Sequence, residues 1–250
     1  MLRSRDLVWD GCLNVRDLGG HPTSEGETRF GSIVRADSVG NLTTEGWEAV
    51  ADYGIRTVID LRGDHEREDD PPRELPVDVR HVPFMEASEE EWEEIGEELE
   101  RLAEVPDIVE ATRDGYVLFL ERFKPNVGAA IRAVAQAPEG CVVVQCVGGK
   151  DRTGLVTALL LHVAGVPTDD IAADYALSEE RLRPRQAGWL EAAQTEAERR
   201  RLERFMQTPP GVISGVFDEL ERRYGSVEGY LESAGVSKRD LELARARLLG

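Results

Sequence analysis

The sequence has 250 residues, of which 41% are hydrophobic and 32% charged, and its formal net charge is −19. This length suits one well-buried domain with an insertion, so we expect residues 1–250 to form a single domain. The negative charge excludes a nucleic-acid-binding protein, because such proteins need a positive surface. It also predicts that turnover of polyanionic substrates at low concentration rises with added inert salt.

The sequence also predicts the cellular location of the protein. No apolar run approaches the roughly 18 residues of a membrane span, so stable membrane insertion is not expected. The polar start, MLRSRDLVWDG, lacks a signal-peptide core, and three cysteines imply no disulfide framework. Both features favour the cytoplasm. The four histidines, His21, His65, His81 and His162, lack metal-ligand spacing, so neither a metal nor a cofactor is expected.

The first sixty residues read as turns and short strands, followed by a helix and another strand. Residues 32–35 have strand character. Thr43 or Thr44 can cap a short helix that runs through Ala51. The β-rich run RTVIDLR at residues 56–62 then predicts a strand.

The most informative stretch is residues 139–165, EGCVVVQCVGGKDRTGLVTALLLHVAG. The valines at 142–144 predict a buried strand, and the apolar run at 155–164 predicts a buried helix that ends at Gly165. The loop between them therefore ends at a helix N-terminus, where free N–H groups and the helix dipole suit an oxyanion. We expect phosphate or another oxyanion to bind there.

The loop residues suggest a chemistry. Gly148 and Gly149 can adopt positive φ, which lets successive N–H groups turn inward. Arg152 offers a planar fork for two phosphate oxygens, and the same groups would favour the thiolate form of Cys146. The residues predicted to bind the substrate phosphate are Val147, Gly148, Gly149, Lys150, Asp151, Arg152 and Thr153.

Cys146 is the candidate nucleophile, because a thiolate beneath a bound phosphate can attack phosphorus. Thr153 could donate its hydroxyl to the sulfur. Asp151 could protonate the leaving alkoxide or phenoxide and later take a proton from water. Lys150 is either an extra cation for substrates with more than one phosphate or a solvated lysine. Together these residues predict metal-independent phosphomonoester hydrolysis through a phosphocysteine.

Several motifs extend this interpretation, namely NVRDLGG at 14–20, RAD at 35–37, IDLRGDHE at 59–66, QCVGGKDRTG at 145–154, and Asp174, Tyr175 and Ser178. In these motifs the sequence resembles a bacterial and fungal family of tyrosine phosphatases. The resemblance implies Cys146 as nucleophile, Arg152 and the loop amides as phosphate binders, and Asp151 as general acid and base. With this resemblance, the elements predict a three-layer α/β fold, in which helices flank a small, mostly parallel sheet.

The segment IDLRGDHE has two interpretations. Asp60 and Asp64 are the next candidates for the acid, because they follow a strand that can lie beside the one ending at Cys146. Alternatively, Asp60, Arg62 and Glu66 form a structural ion-pair network.

One residue departs from the family pattern. The family usually has His before the nucleophile, where this chain has Gln145. Glutamine can donate a hydrogen bond to the loop backbone but cannot carry charge, which predicts a tuned or slower enzyme. Cys12 and Cys141 are expected to be small buried residues, or else resolving thiols for an oxidised Cys146.

The remaining chain is predicted to be helical. Residues 86–104 form an amphipathic, acidic helix whose apolar positions are Trp92, Ile95, Leu99 and Leu102. The resemblance implies that residues 86–124 are a helical insertion that acts as a lid, and the alternative is an acidic solvated helix at the rim. Further helices are predicted at 108–123, 126–136, 169–177 with Thr168 as cap, 186–206, and 208–224 opened by Thr208, with two short ones closed by Gly235 and Gly250.

Phosphotyrosine protein, including dual-specificity substrates, is the first expected substrate class, because a thiol on the floor of a cleft favours a long aryl ester. A phosphoinositide is the nearest alternative, since Lys150 suits a polyphosphorylated ring, although an anionic membrane would repel this acidic chain. A non-catalytic phosphate-binding module, suggested by Gln145, and an arsenate reductase are further alternatives. The reductase needs shuttle cysteines, and neither Cys12 nor Cys141 has a suitable partner spacing.

Overall fold

The computed structural model describes residues 4–68 and 77–250, which are built around a five-stranded sheet. The strands are β1 (Arg16–Asp17), β2 (Pro22–Thr23), β3 (Gly26–Glu27), β4 (Ile33–Ala36), β5 (Ile55–Asp60), β6 (Asp78–His81) and β7 (Cys141–Gln145). The large sheet has the order β1-β4-β7-β5-β6, in which β1 is antiparallel to β4 and the other neighbours are parallel. Strands β2 and β3 form a separate hairpin. The prediction of a small, mostly parallel sheet is confirmed.

The described chain has eleven α-helices and one 3₁₀ turn, Val39–Asn41. The helices are α1 (Thr44–Asp52), α2 (Asp64–Glu68), α3 (Glu89–Ala103), α4 (Ile108–Arg122), α5 (Lys124–Ala135), α6 (Arg152–Val163), α7 (Thr168–Ala192), α8 (Glu196–Met206), α9 (Gly211–Tyr224), α10 (Val227–Ser233) and α11 (Lys238–Leu249). Within residues 4–68 and 77–250, none of them combines the length and apolarity that a membrane crossing requires.

Two apolar cores lie on opposite faces of the sheet. On one face, Val143 of β7 belongs to a cluster with Trp9 and residues of α1. On the other face, Val142 and Val144 pack with residues of α5 and α6. Strand β7 is buried on both faces because it lies between two parallel neighbours, which explains its unbroken valine run. The predicted arrangement of helices on both faces of the sheet is confirmed.

Helix α7 departs from the predicted boundaries. The sequence predicts separate helices at 169–177 and 186–206, but α7 continues through Pro184 and the break falls just before α8. Proline lacks the helical N–H donor and usually ends a helix. Here Arg181 and Arg185, on either side of Pro184, donate hydrogen bonds to the sheet region and hold the helix in place.

Two predicted helix starts have different outcomes. Thr43 caps α1 as expected, since its hydroxyl accepts a hydrogen bond from the Gly46 amide at 3.2 Å. Thr208 does not open α9, which begins at Gly211. The Thr208 hydroxyl instead accepts from the Glu179 amide at 3.2 Å, which ties this segment to α7.

Candidate active site

The predicted oxyanion loop lies at the carboxyl end of β7, the middle strand of the sheet. Strand β7 ends at Gln145 and α6 begins at Arg152, so residues 146–151 form the loop. Strands β4 and β5 run parallel on either side, and the segments that follow them meet at this edge. Cys146 follows β7 directly and is only 2% exposed, whereas Val147 on the rim is 44% exposed.

The loop carbonyls are turned away from the concave side of the loop. The carbonyl of Val147 accepts from the Ser38 amide at 3.1 Å, and that of Gly148 accepts from Asn14 Nδ2 at 3.0 Å. The carbonyl of Gly149 accepts from Arg35 Nη2 at 2.8 Å. In the described part of the chain, the N–H groups of residues 147–151 have no acceptor. They are therefore left to bind an anion.

The two loop glycines differ: both can adopt positive φ, but of the two only Gly149 does so. Gly149 has φ of 63°, and a Cβ there would lie 2.5 Å from the carbonyl oxygen of Ala36. Gly148 is not among the positive-φ glycines, and its nearest neighbour would be Leu182 at 3.9 Å. The loop geometry thus depends on glycine at position 149, where a side chain would collide with β4.

Arg152 is held by Glu66, a residue of the short helix α2. Nη1 and Nη2 of Arg152 lie 2.5 and 2.7 Å from the two carboxylate oxygens of Glu66. The amide of Gly63 donates to Glu66 at 2.8 Å and fixes the carboxylate in turn. A guanidinium has five N–H donors, so this pair leaves others for a bound phosphate. Glu66 therefore orients the predicted phosphate fork.

The pair stabilises the charges of both partners. Burial disfavours the charged guanidinium, but Glu66, Cys146 and Asp151 together raise the pKa of Arg152 above its ordinary value. Partial burial also works against the Glu66 carboxylate, but the hydrogen bonds from Arg152 and Gly63 lower its pKa. The sequence interpretation placed Glu66 in a network with Asp60 and Arg62, which this contact corrects. Its position six residues past the end of β5 was the available signal.

Asp60 and Asp64 occupy different environments. Asp60 is 2% exposed, and Arg62 binds its carboxylate with Nε at 3.0 Å and Nη2 at 2.9 Å. Arg67 lies 3.5 Å from the same carboxylate, so the structural ion-pair network exists with Arg67 in place of Glu66. The Asp64 side chain is 82% exposed and lies 3.7 Å from His81 Nδ1. Neither Asp60 nor Asp64 belongs to the loop at residues 146–151.

Asp151 is the last residue of the predicted phosphate loop and lies at the N-terminus of α6. Its Oδ1 accepts a hydrogen bond from the Tyr116 hydroxyl at 2.5 Å, and that hydroxyl lies 2.9 Å from the hydroxyl of Tyr175. The Asp151 side chain is 34% exposed. Tyr175 belongs to a motif noted in the sequence, but no sequence feature linked it to Asp151, and Tyr116 was not singled out at all. Their partnership with Asp151 exists only in three dimensions.

Lys150 points from the loop towards the end of α8. It is 4% exposed, its Nζ donates to the carbonyl of Phe205, and Nζ lies 3.9 Å from the centre of the Phe205 ring. Nζ also lies 3.6 Å from Asp151 Oδ1. Lys150 is thus not the solvated lysine of the alternative interpretation. Its predicted contact with phosphate stays a prediction.

Gln145, just before the loop, and Thr153, in the first turn of α6, both carry buried polar atoms. Within residues 4–68 and 77–250, the Thr153 hydroxyl and both amide atoms of Gln145 lack a hydrogen-bond partner. The expectation that Gln145 donates to the loop backbone is therefore wrong for this structure. An unpaired buried amide beside Cys146 is a cost to stability.

A buried ion cluster supports the loop from behind. Asp174 of α7 accepts from Arg16 Nε at 2.9 Å and from Arg35 Nη1 at 2.8 Å, and all three side chains are at most 2% exposed. Arg35 also donates a hydrogen bond to the Gly149 carbonyl. Arg16 donates to the Asn14 side-chain oxygen, and the Asn14 side-chain nitrogen donates to the Gly148 carbonyl. Burial opposes ionisation of Asp174, but the two arginines hold its pKa below the usual range.

One face of α7 carries the residues that make these contacts, and their spacing is four, three and four: Asp174, Ser178, Arg181 and Arg185. Ser178 accepts from Arg16 Nη2 at 3.2 Å. Arg181 donates to the Val15 carbonyl at 2.7 Å, and Arg185 binds the Asp37 carboxylate at 2.6 Å. This spacing places the four side chains on one stripe of the helix.

A cleft of about 810 Å³ opens beside the loop. Apolar residues of α3 and α4, including Leu99, Ile108 and Phe119, line one wall. The other wall belongs to α8 and includes Arg200 and Arg201. Helices α3 and α4 lie within the predicted insertion at 86–124, and their movement as a lid stays a prediction.

Cys141 is unsuited to protect Cys146 as a resolving thiol. The two residues are five positions apart along an extended strand, or roughly 16 Å, whereas a disulfide needs Cα atoms within about 7 Å. Burial, with the charge of Asp17, also raises the pKa of the Cys141 thiol. Cys12 donates to the Ser38 carbonyl at 3.3 Å, and its role as a resolving thiol stays a prediction.

An α/β fold in which a predicted anion-binding loop follows the central strand, with a cysteine at its start and an arginine just after its end, is typical of a phosphatase. A family model described as the tyrosine phosphatase family matches residues 7–250. The chain therefore belongs to the tyrosine phosphatase family, whose members are hydrolases.

Individual relatives agree with this assignment. The chain is 28% identical to a tyrosine-protein phosphatase of Nostoc commune over 234 aligned residues, which cover 87% of this chain and 74% of the relative. It is 27% identical to the triple specificity protein phosphatase PtpB of Mycobacterium tuberculosis over 276 aligned residues, covering 96% of this chain and 98% of the relative.

Proposed function

We propose that the protein hydrolyses phosphotyrosine in proteins through a phosphocysteine intermediate, without a metal ion. The observation that supports this proposal is the loop itself. Cys146 lies at its base, its N–H groups have no acceptor in the described chain, and Arg152 is oriented at its end by Glu66. These groups can bind the phosphate oxygens and stabilise the charge of the transition state.

The reaction has two steps. In the first, the Cys146 thiolate attacks phosphorus, the bond from phosphorus to the ester oxygen breaks, and Asp151 gives its proton to the leaving oxygen. In the second, water attacks the phosphocysteine, Asp151 takes a proton from that water, and the sulfur–phosphorus bond breaks. Inorganic phosphate leaves and the thiolate is restored.

The cleft supports a protein substrate with an aryl phosphate. Because Cys146 is buried while Val147 on the rim is exposed, a long phosphoester reaches the sulfur more easily than a short one. The apolar wall of α3 and α4 can pack against an aromatic ring. The PtpB relative is named a triple specificity phosphatase, which favours including other phosphoresidues in the tests.

A phosphoinositide phosphatase is the second candidate function. Arg200 and Arg201 line the cleft beyond Arg152, and they could bind further phosphates of a polyphosphorylated ring. Against this candidate, Lys150 is engaged with Phe205, and the net charge of −19 opposes an anionic membrane.

The test is phosphate release, in the presence of EDTA, from a phosphotyrosine peptide, a phosphoserine peptide and a soluble phosphoinositide. We expect the phosphotyrosine peptide to be the best substrate, Cys146→Ser to abolish release, and Asp151→Asn to lower it by about 100-fold. Cys141→Ser and Asp64→Asn are matched controls and should retain activity. A wild type that binds vanadate but releases nothing would instead indicate the non-catalytic binding module.

A further inference from the structure

Two buried tyrosines from different helices meet at the carboxylate of Asp151. Tyr116 of α4 and Tyr175 of α7 are 3% and 1% exposed. Their rings pack edge to face, with centres 6.1 Å apart and an interplanar angle of 83°. Their hydroxyls are 2.9 Å apart, and that of Tyr116 reaches Asp151 Oδ1 at 2.5 Å. The contact therefore joins two helices to the proposed proton donor.

The direction of each hydrogen bond follows from the number of protons. A carboxylate only accepts, so the single hydroxyl proton of Tyr116 points to Asp151. Tyr175 is then the donor to the Tyr116 oxygen, and the two bonds in series strengthen one another. Burial and the Asp151 charge raise the pKa of both tyrosines above the ordinary value, so both keep their protons.

The two oxygens of Asp151 are not equivalent. Oδ1 accepts from Tyr116 and lies 3.6 Å from Lys150 Nζ. Among the described residues Oδ2 has no hydrogen-bond partner, and the side chain lines the cleft. The carboxylate is thus fixed on its Oδ1 side, and Oδ2 is left for the substrate.

We propose that Tyr116, oriented by Tyr175, is the positioning residue for proton transfer by Asp151. The inference rests on the proposed function. Tyr116 holds the rotation of the carboxyl so that Oδ2 carries the proton that passes to the leaving oxygen. After transfer, the Tyr116 hydrogen bond stabilises the carboxylate, which then takes a proton from the attacking water.

Leaving groups of different basicity test this role. A phenoxide of low pKa leaves without protonation, whereas the tyrosine phenoxide needs the acid. In pre-steady-state measurements of phenol release, we expect Tyr116→Phe to slow a phosphotyrosine peptide by about 10- to 100-fold. An ester of a strongly acidic phenol should slow by no more than about threefold, and KM should change little. Tyr175→Phe should give a smaller loss with the same dependence on leaving group.

A double mutant and a matched control separate positioning from structural damage. In an Asp151→Asn background, Tyr116→Phe should have no further effect on the phosphotyrosine peptide. Tyr230→Phe is the control, because Tyr230 is equally buried but donates to the Leu120 carbonyl at 2.7 Å. Equal losses for both esters, or additive losses in the double mutant, would overturn the proposal. If Asp151→Asn itself shows no dependence on leaving group, the acid assignment in the proposed function fails instead.

Discussion

The two faces of the phosphate loop are built from opposite kinds of contact. On its outer face, the carbonyls of residues 147–149 bind donors from Ser38, Asn14 and Arg35, and Asp174 fixes Arg35 from behind. On its inner face, the N–H groups have no acceptor in the described chain, and the side chain of Asp151 is one-third exposed. The outer face is engaged in internal hydrogen bonds, whereas the donors of the inner face are available to the proposed substrate.

The two faces therefore have different roles: the outer face secures the loop backbone, and the inner face offers hydrogen-bond donors. A substrate-binding group must keep its hydrogen-bonding capacity, so it cannot also secure the backbone. Here the outer face secures the backbone with buried ion pairs, and the inner face is held in shape without using its own donors. Substitutions on the outer face should therefore change stability first, while those on the inner face should change activity with little effect on stability.

The largest expected effect is that of Asp174→Asn, which breaks the outer face. It leaves Arg16 and Arg35 buried without their carboxylate, and losing one partner of a buried ion pair costs about 3–5 kcal/mol. The free energy of unfolding in urea measures this loss. Glu180→Gln, an exposed change on the same helix, is the control. A loss below about 1 kcal/mol would show that the cluster does not secure the loop.

Acidification should weaken the outer face through His21, which lies beside this cluster. Burial and the charge of Arg5 lower the pKa of His21 to about 4, against about 6.5 in an unfolded chain. As the pH falls from 6.5 towards 4, His21 becomes protonated in the unfolded state but stays neutral in the folded state. Stability should therefore fall by about 2–3 kcal/mol over this window.

Urea unfolding midpoints between pH 7 and pH 4.5 measure the effect. His21→Gln should flatten the dependence, whereas the exposed control His65→Gln should retain it. An unchanged slope in His21→Gln would assign the pH dependence to other groups.

Glu66→Gln tests whether a change near the inner face lowers activity more than stability. The variant weakens the bidentate contact that orients Arg152, so we expect kcat/KM to fall about tenfold, or about 1.4 kcal/mol in transition-state binding. Because Glu66 is partly exposed, unfolding should change by less than about 1 kcal/mol. Glu68→Gln, at the exposed end of α2, should leave both values near the wild type. A loss of stability larger than the loss of activity would contradict the division between the faces.

The smallest effect concerns the approach of the substrate. The net charge of −19 repels polyanions at long range, although the inner face offers N–H donors. Raising inert salt from about 0.01 to 0.15 M shortens the screening length from about 30 to 8 Å. The kcat/KM for a phosphopeptide rich in acidic residues should rise, and that of the same peptide with neutral residues should change less. A steep fall would reveal a basic docking surface.

The sequence predicted the parts of the site that are continuous in the chain. The valine run of β7, the loop and α6 follow one another, so their periodicity and turn residues were sufficient to place Cys146 and Arg152 at one sheet edge. The partners Glu66, Tyr116 and Asp174 were not assigned these roles, because each meets the loop only after distant segments pack together. Tyr116 lies 35 positions before Asp151, and no local sequence pattern indicates that the two side chains are in contact.

Propensity also failed where tertiary contacts opposed it. The sequence predicts a break between residues 177 and 186, but α7 continues through Pro184 because residues on both sides of it are anchored. Gln145 was expected to donate to the loop, yet its amide has no partner within the described residues. Gln145 lies directly before the predicted phosphate loop, where function and stability make different demands.

The stripe on α7 also limits how the length of this chain can vary. Each residue turns a helix by about 100°, so one inserted residue between positions 174 and 185 would rotate Arg185 or Asp174 out of line with the others. Deletions in this segment should be equally damaging. The junction at 193–195, between α7 and α8, lies outside the stripe. Among variants of this protein, changes in length should accumulate at that junction and be excluded from the segment between positions 174 and 185.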